Sequence, residues 1–221
     1  MHIRNRANRI FHQLQSTFPL PKWTSSSQTP FRTLIRTVLS QATADTNTDR
    51  AFRTLSERLS ITPETLAKTN LEDLEEAIRV AGLYRTKSKA IKRLSRVVLD
   101  QFDGTIDFIY SSPLEAARYR LMSLPGVGAK TADVVLLFCA ERPVIPIDTH
   151  VNRVSKRLGL APSAGNYEEI QEALQSLYPP KDYLLVHLLL ISLGRKYCKA
   201  RNPLCKPCPV NTSCPSKQMS E

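Results

Sequence analysis

The sequence predicts an all-α protein. Apolar residues recur at three- and four-residue spacings along most of the 221 residues, and helix-start signals precede many of these stretches. No sustained alternation of apolar and polar residues marks a strand. Ile10 to Phe18 reads as a short amphipathic helix. A Pro- and Ser-rich connector around Trp23 follows, from Phe18 to Pro30. Phe31, Leu34, Ile35, Val38 and Leu39 then share one helical face, and Asp45 to Leu59 continues in that style. Thr62-Pro63 supplies a cap and a proline at the first turn, where a missing N–H does no harm. Asn70 caps an acidic helix, Leu71 to Val80, that stops before Gly82. Lys87 to Phe102 is a basic amphipathic helix. Ser112-Pro113-Leu114-Glu115 has capping-box spacing with proline at the first helical position. Further helices are expected at 130–141, 149–158, 167–177 and 182–196.

Charge points to an anionic partner. The chain carries 31 Lys+Arg against 20 Asp+Glu, a net +11, which suits nucleic acid or a membrane surface. The charge is unevenly placed. Acids gather at Glu64, Glu72, Asp73, Glu75 and Glu76. Arg85, Lys87, Lys89, Lys92, Arg93 and Arg96 form a run without an acid. A second acid-free region, Tyr183 to Ser220, gathers Arg195, Lys196, Lys199, Arg201, Lys206 and Lys217. Each run alone reads as a solvated helix face; two on one basic chain favour a phosphate-binding surface. The longest apolar stretch, Tyr183 to Ser192, is broken by His187 and is too short to span a bilayer. The N-terminus has no apolar segment of a secretory signal, so an intracellular location is expected, without structural disulfides.

Four of the five cysteines crowd the last 24 residues: Cys198, Cys205, Cys208 and Cys214, spaced C-x6-C-x2-C-x5-C. In a reducing compartment such a group suggests metal before disulfide. Four thiolates suit a [4Fe–4S] cluster or a zinc ion. Zinc sites usually come as two close pairs, and here Cys205 and Cys208 form a single one. Cys139 falls in an apolar helix and reads as structural, and His187 as a packed core histidine.

Leu124-Pro125-Gly126-Val127-Gly128-Ala129-Lys130 lies between two predicted helices. Its two glycines permit positive φ and close backbone approach to a ligand. The helix that follows presents unpaired amides and a positive dipole end, a ready place for a phosphate. Asp148, in Ile147-Asp148-Thr149-His150, is a natural N-cap.

The string from Leu124 through Ala132 resembles the helix–hairpin–helix of the DNA glycosylase superfamily. Asp148 lies 18 residues beyond Lys130, which matches that superfamily's hairpin-to-aspartate arrangement. The 6-2-5 cysteine spacing matches the cluster motif of the endonuclease III family. The resemblance covers roughly Phe31 to Cys214. It implies a two-lobed helical glycosylase fold with a DNA cleft, a six-helix barrel at 27–143 carrying the hairpin, and a discontinuous iron–sulfur domain of 1–26 with 144–221. The resemblance makes Lys130 the nucleophile at the sugar C1′ and Asp148 the ionised group that supports positive charge there. It implies a [4Fe–4S] cluster on the four cysteines and hairpin contacts to DNA phosphate from Gly126, Val127, Gly128 and Lys130. Lys199 and Arg201, among the cysteines, and His150 are candidate phosphate contacts. Gln41 corresponds to a polar plug and Leu83 to an apolar wedge that fill the gap left by an extruded base. Some family members carry the glutamine one position later, where this chain has Ala42. The bland readings are a helix-end cap for Gln41 and core packing for Leu83.

The branch that removes adenine from mispairs lacks a lysine at this position, so Lys130 points to the lyase branch. The expected activity is excision of oxidised or saturated pyrimidines from double-stranded DNA, then β-elimination at the abasic site, by a monomer with no membrane partner. The alternatives are removal of uracil or mispaired thymine, and a non-catalytic iron–sulfur DNA-binding protein.

Overall fold

The computed structural model describes residues 3–19 and 29–217, and every regular element among them is helical, as expected. The helices are α1 (Ile3–Thr17), α2 (Pro30–Ser40), α3 (Asp45–Arg58), α4 (Pro63–Lys68), α5 (Leu71–Ala77), α6 (Tyr84–Phe102), α7 (Phe108–Ser111), α8 (Leu114–Met122), α9 (Ala129–Ala140), α10 (Thr149–Arg157), α11 (Tyr167–Leu177) and α12 (Tyr183–Lys196). Short 3₁₀ turns stand at Arg79–Ala81, Pro180–Asp182 and Asn211–Ser213. Among the described residues no helix is long and apolar enough to cross a membrane. The connector around Trp23 lies almost wholly outside the described residues.

Local chemistry explains where the boundaries moved. α1 begins at Ile3 rather than near Ile10, because Ala7 joins Ile10, Phe11 and Leu14 in one buried stripe. α6 begins at Tyr84, three residues before Lys87, behind a left-handed Leu83. The capping box expected at Ser112–Glu115 does not form. Ser112 instead closes the one-turn α7, donating its amide to the Phe108 carbonyl (2.9 Å), and α8 starts after Pro113 with no side-chain cap. A capping box does form at α11. There the Asn166 Oδ1 accepts from the Glu169 amide (2.9 Å) and a Glu169 carboxylate oxygen accepts from the Asn166 amide (2.8 Å).

The chain divides into two compact units, Ser25–Arg142 and Met1–Thr24 with Pro143–Glu221. In the first, α4 packs along α6, α2 packs on α3 and α9, and α8 packs on α9. Leu34, Ile35, Leu39, Leu55, Leu66, Leu74, Ile91 and Leu94 are fully buried there. Burying each such side chain contributes on the order of 1.5–3 kcal/mol. In the second, α10 packs on α12, and α1 packs on α11 and α12. His187 is buried in α12, with Nδ1 3.0 Å from the Pro146 carbonyl, the packed histidine that its apolar setting predicts.

Candidate active site and cysteine cavity

Residues 125–128 form the hairpin between α8 and α9. Gly126 has φ +79, a left-handed conformation that favours glycine. Gly128 is extended, with φ −93 and ψ 179, so its dihedrals do not demand glycine. A Cβ at either position would meet nothing within 4 Å, so both glycines face open space and leave the backbone approachable. Val127 behaves differently from its neighbours. Its side chain is buried and its amide donates to the Leu124 carbonyl (3.1 Å), so it anchors the turn from inside instead of offering an amide outward. Ala129 and Lys130 are the first two residues of α9, at the end where unpaired amides concentrate positive potential. Lys130 is half-buried.

Two further loops belong to the same unit, and the first of them meets the hairpin. Gln41 is the C-cap of α2 and is exposed, and its side-chain amide donates to the Gly126 carbonyl at 3.4 Å. Leu83 is 63% exposed, which overturns its reading as core packing. It sits at φ +47, after Gly82 at φ +63. Ala42, beside Gln41, is also left-handed at φ +50. The basic run at 85–96 loses a member. Lys87 is buried, while Arg85, Lys89, Arg93 and Arg96 remain exposed.

Asp148 belongs to the other unit, as the N-cap of α10. Its Oδ1 accepts from the Val151 amide at 2.7 Å, and it is half-buried. His150, in the first turn of the same helix, lies with Nδ1 3.1 Å from Nη2 of Arg153. It packs against Gly194 of α12 so closely that a Cβ there would come within 2.9 Å of Nδ1.

Cys198, Cys205, Cys208 and Cys214 line one cavity of about 40 Å³, with Leu158, Leu193, Pro203, Leu204 and Val210 supplying apolar wall. Among the described residues no group of three or more His, Cys, Asp or Glu is placed to hold a single metal ion. Burial pushes the Cys208 and Cys214 thiols up from the ordinary cysteine range, and the neighbouring cysteines push the same way. A bound cation reverses that balance by stabilising thiolate. The space exceeds the roughly 10–15 Å³ that one water-sized atom takes. Four soft ligands around it fit a polynuclear iron–sulfur group.

Two arginines that sequence reasoning passed over hold this segment. Arg157 donates from Nη1 to the Lys199 carbonyl (2.7 Å) and the Cys198 sulfur (3.5 Å), and from Nη2 to the Ala200 carbonyl (3.1 Å). Arg153 donates to the carbonyls of Cys198 (2.9 Å) and Gly194 (3.2 Å). Their spacing on α10 is the signal that could have found them. Lys199 and Arg201 project outward, both exposed. Cys139 belongs to the other unit, half-buried, with its sulfur 3.2 Å from the Thr33 hydroxyl, and burial pushes its thiol up.

The chain is similar to known proteins over most of its length. The family described as HhH-GPD superfamily base excision DNA repair protein matches residues 35–180. Endonuclease III of Thermotoga maritima is 40% identical, over 84% of this chain and 82% of its own. That of Sulfolobus acidocaldarius is 35% identical over 94% and 95%, and that of Escherichia coli K12 is 32% identical over 97% and 98%. Among solved structures, a trapped endonuclease III–DNA covalent intermediate superposes with a TM-score of 0.84 at 33% identity, covering 98% of both chains. A thermostable thymine-DNA glycosylase shares the fold, with a TM-score of 0.79 at 21% identity. With this match over most of its length, the chain belongs to the endonuclease III family of the HhH-GPD superfamily of base excision DNA repair proteins.

Proposed function

We propose that this protein is a bifunctional base excision enzyme that removes oxidised or saturated pyrimidines from duplex DNA and cleaves the abasic site through a Schiff base on Lys130. The observation that carries this reading is the place of Lys130. It is half-buried at the second position of α9, two residues after Gly128, in a hairpin whose two glycines face outward. The helix N-terminus disfavours an added cation, which favours a neutral amine. As a free amine, Nζ attacks C1′, the C1′–base bond breaks, and the base leaves with its bonding electrons and takes up a proton. Loss of one proton from the attached nitrogen and breaking of the C1′–O4′ bond, with O4′ taking up a proton, leave an iminium that keeps its second N–H. It acts as the electron sink while a C2′ proton is removed and the C3′–O bond to phosphate breaks. Asp148, as carboxylate, stabilises the positive charge that develops at the sugar and helps move protons from the lysine.

Gly126, Gly128 and the amides that open α9 hold the DNA backbone, with His150, Lys199 and Arg201 as further phosphate contacts. Gln41 and Leu83 fill the space that an extruded base vacates. Residues 27–143 form the barrel domain and 1–26 with 144–221 the iron–sulfur domain. Cys198, Cys205, Cys208 and Cys214 would hold a [4Fe–4S] cluster, which braces the basic segment and supplies no step of the excision. The protein acts inside the cell on damaged or abasic duplex DNA, as a monomer.

Borohydride trapping tests the reading. Purified protein and thymine glycol duplex should give a covalent adduct on a gel that Lys130→Gln abolishes. An adduct with abasic DNA but none with thymine glycol would move the base specificity to uracil or mispaired thymine. No adduct with either would overturn the Lys130 assignment.

A further inference from the structure

We propose that Lys87 is a positioning residue that holds the Gln41 and Leu83 loops in the arrangement base extrusion needs, acting through Thr43. The proposal rests on the reading of Gln41 as plug and Leu83 as wedge.

Lys87 is 4% exposed, near the start of α6. Its Nζ donates to the Leu39 carbonyl (2.8 Å), the Ala81 carbonyl (3.0 Å) and the Thr43 hydroxyl. An ammonium has three donors, and all three are used. Leu39 is two residues before Gln41, Thr43 is two after it, and Ala81 is two before Leu83. The Thr43 hydroxyl closes the triangle. It donates to the Ala81 carbonyl at 2.5 Å, and it lies 3.1 Å from the Gln41 carbonyl. One buried side chain thus ties the end of α2, the turn after Gln41 and the turn before Leu83.

The energetics argue against an ordinary packing role. Among the described residues no carboxylate pairs with Lys87, and burial pushes its ammonium below the usual lysine range. A buried cation without a countercharge is costly, and a methionine would fill the same space without that cost. What the ammonium adds is three directed bonds to two loops. Those loops also carry Ala42 (φ +50) and Leu83 (φ +47), conformations that non-glycine residues adopt when their surroundings hold them there. A wedge must meet the base stack in one orientation, and small misplacements cost large factors in rate.

The test is a double-mutant cycle read by base extrusion. A duplex carries 2-aminopurine beside thymine glycol, and the fluorescence rise on enzyme binding reports the open stack. Lys87→Met removes the clamp outright and can fail to fold, so Thr43→Val carries the test. It deletes the hydroxyl between the two loops and keeps the branched shape. Thr43→Val should weaken extrusion about 10-fold in the native background and less than about 2-fold alongside Leu83→Ala, the non-additivity expected of coupled residues. Thr43→Ser, which keeps the hydroxyl, should restore extrusion. Equal losses in both backgrounds, or no loss from Thr43→Val, would overturn the proposal. If Leu83→Ala and Gln41→Ala both extrude the base as the native protein does, the plug-and-wedge reading is the part that fails, and the role of Lys87 falls with it.

Discussion

The Asp133 carboxylate is completely buried in α9, and the Arg118 guanidinium of α8 grips it from the side, with Nε at 2.8 Å and Nη2 at 3.4 Å. α8 leads into the hairpin and α9 leads out of it, so this pair fixes the angle at which the hairpin is held. Asp133→Ala removes the carboxylate that pairs with a nearly buried guanidinium, which costs about 3–5 kcal/mol. Replacing both residues with apolar ones of similar volume should cost much less. Urea unfolding of the two variants checks this, and equal losses would show that the pair does not act as a unit.

Lys130→Gln keeps a polar side chain one atom shorter and removes the amine. Strand cleavage and borohydride trapping should both vanish, while binding to an abasic duplex, measured by gel shift at fixed salt, stays within a few-fold of native. A Lys130→Gln protein that nicks abasic DNA at the native rate would move the nucleophile elsewhere.

Asp148 separates folding from chemistry. Its Oδ1 caps α10 by accepting from the Val151 amide. Asparagine caps nearly as well, so Asp148→Asn should leave stability within about 0.5 kcal/mol, whereas Asp148→Ala should lose about 1 kcal/mol. Both should lower base excision by about 10²–10³-fold, the range for removing one preorganised electrostatic group. Thermal melts and single-turnover excision measured side by side check the split. Full activity in Asp148→Asn would reduce the residue to a cap.

Leu83 is held at φ +47 with most of its side chain in solvent. Glycine takes that conformation without strain, so Leu83→Gly should leave stability unchanged or raise it by up to about 1 kcal/mol. Lesion excision should fall at the same time. A buried leucine behaves in the opposite way, losing about 2–5 kcal/mol on truncation even to alanine. A stability loss in that range would return Leu83 to the core.

The cysteine segment should respond in two grades. Cys205→Ser removes a ligand and should abolish the visible absorption of the cluster. Arg157→Met keeps all four cysteines but deletes the bonds to the Lys199 and Ala200 carbonyls. Its cluster should form and then bleach several-fold faster than native under an iron chelator. An unchanged bleaching rate would make those bonds incidental.

Much of this was legible in the sequence because it is local. The α2 stripe of Phe31, Leu34, Ile35, Val38 and Leu39, the Asp148 cap and the Gly126 turn each depend on neighbours a few residues away. The cysteine cavity was legible from its spacing and the family resemblance. The rest depends on distant partners. Lys87 sits in a run of six basic residues, and nothing in that run marks it as the one whose acceptors lie at positions 39, 43 and 81. Arg118 and Asp133 are separated by the hairpin, and pairing them requires the crossing of α8 and α9. Val127 is flanked by two outward glycines, and only the folded turn shows it facing in. The Ser112 box failed because Ser112 ends α7, an element with too few residues to leave a periodic trace.

Helix α10 carries Asp148 at its cap and, farther along, the two arginines that hold the cysteine segment. An α-helix turns about 100° per residue. One residue inserted between Asp148 and Arg153 would swing both arginines about a quarter turn off the carbonyls they bind; one residue deleted would swing them the other way. Within α10, substitutions can be absorbed one at a time, but a change of length cannot. Lineages of this protein should therefore gain and lose residues in other parts of the chain while the interval from Asp148 to Arg157 stays fixed, a pattern that reading frames alone would reveal.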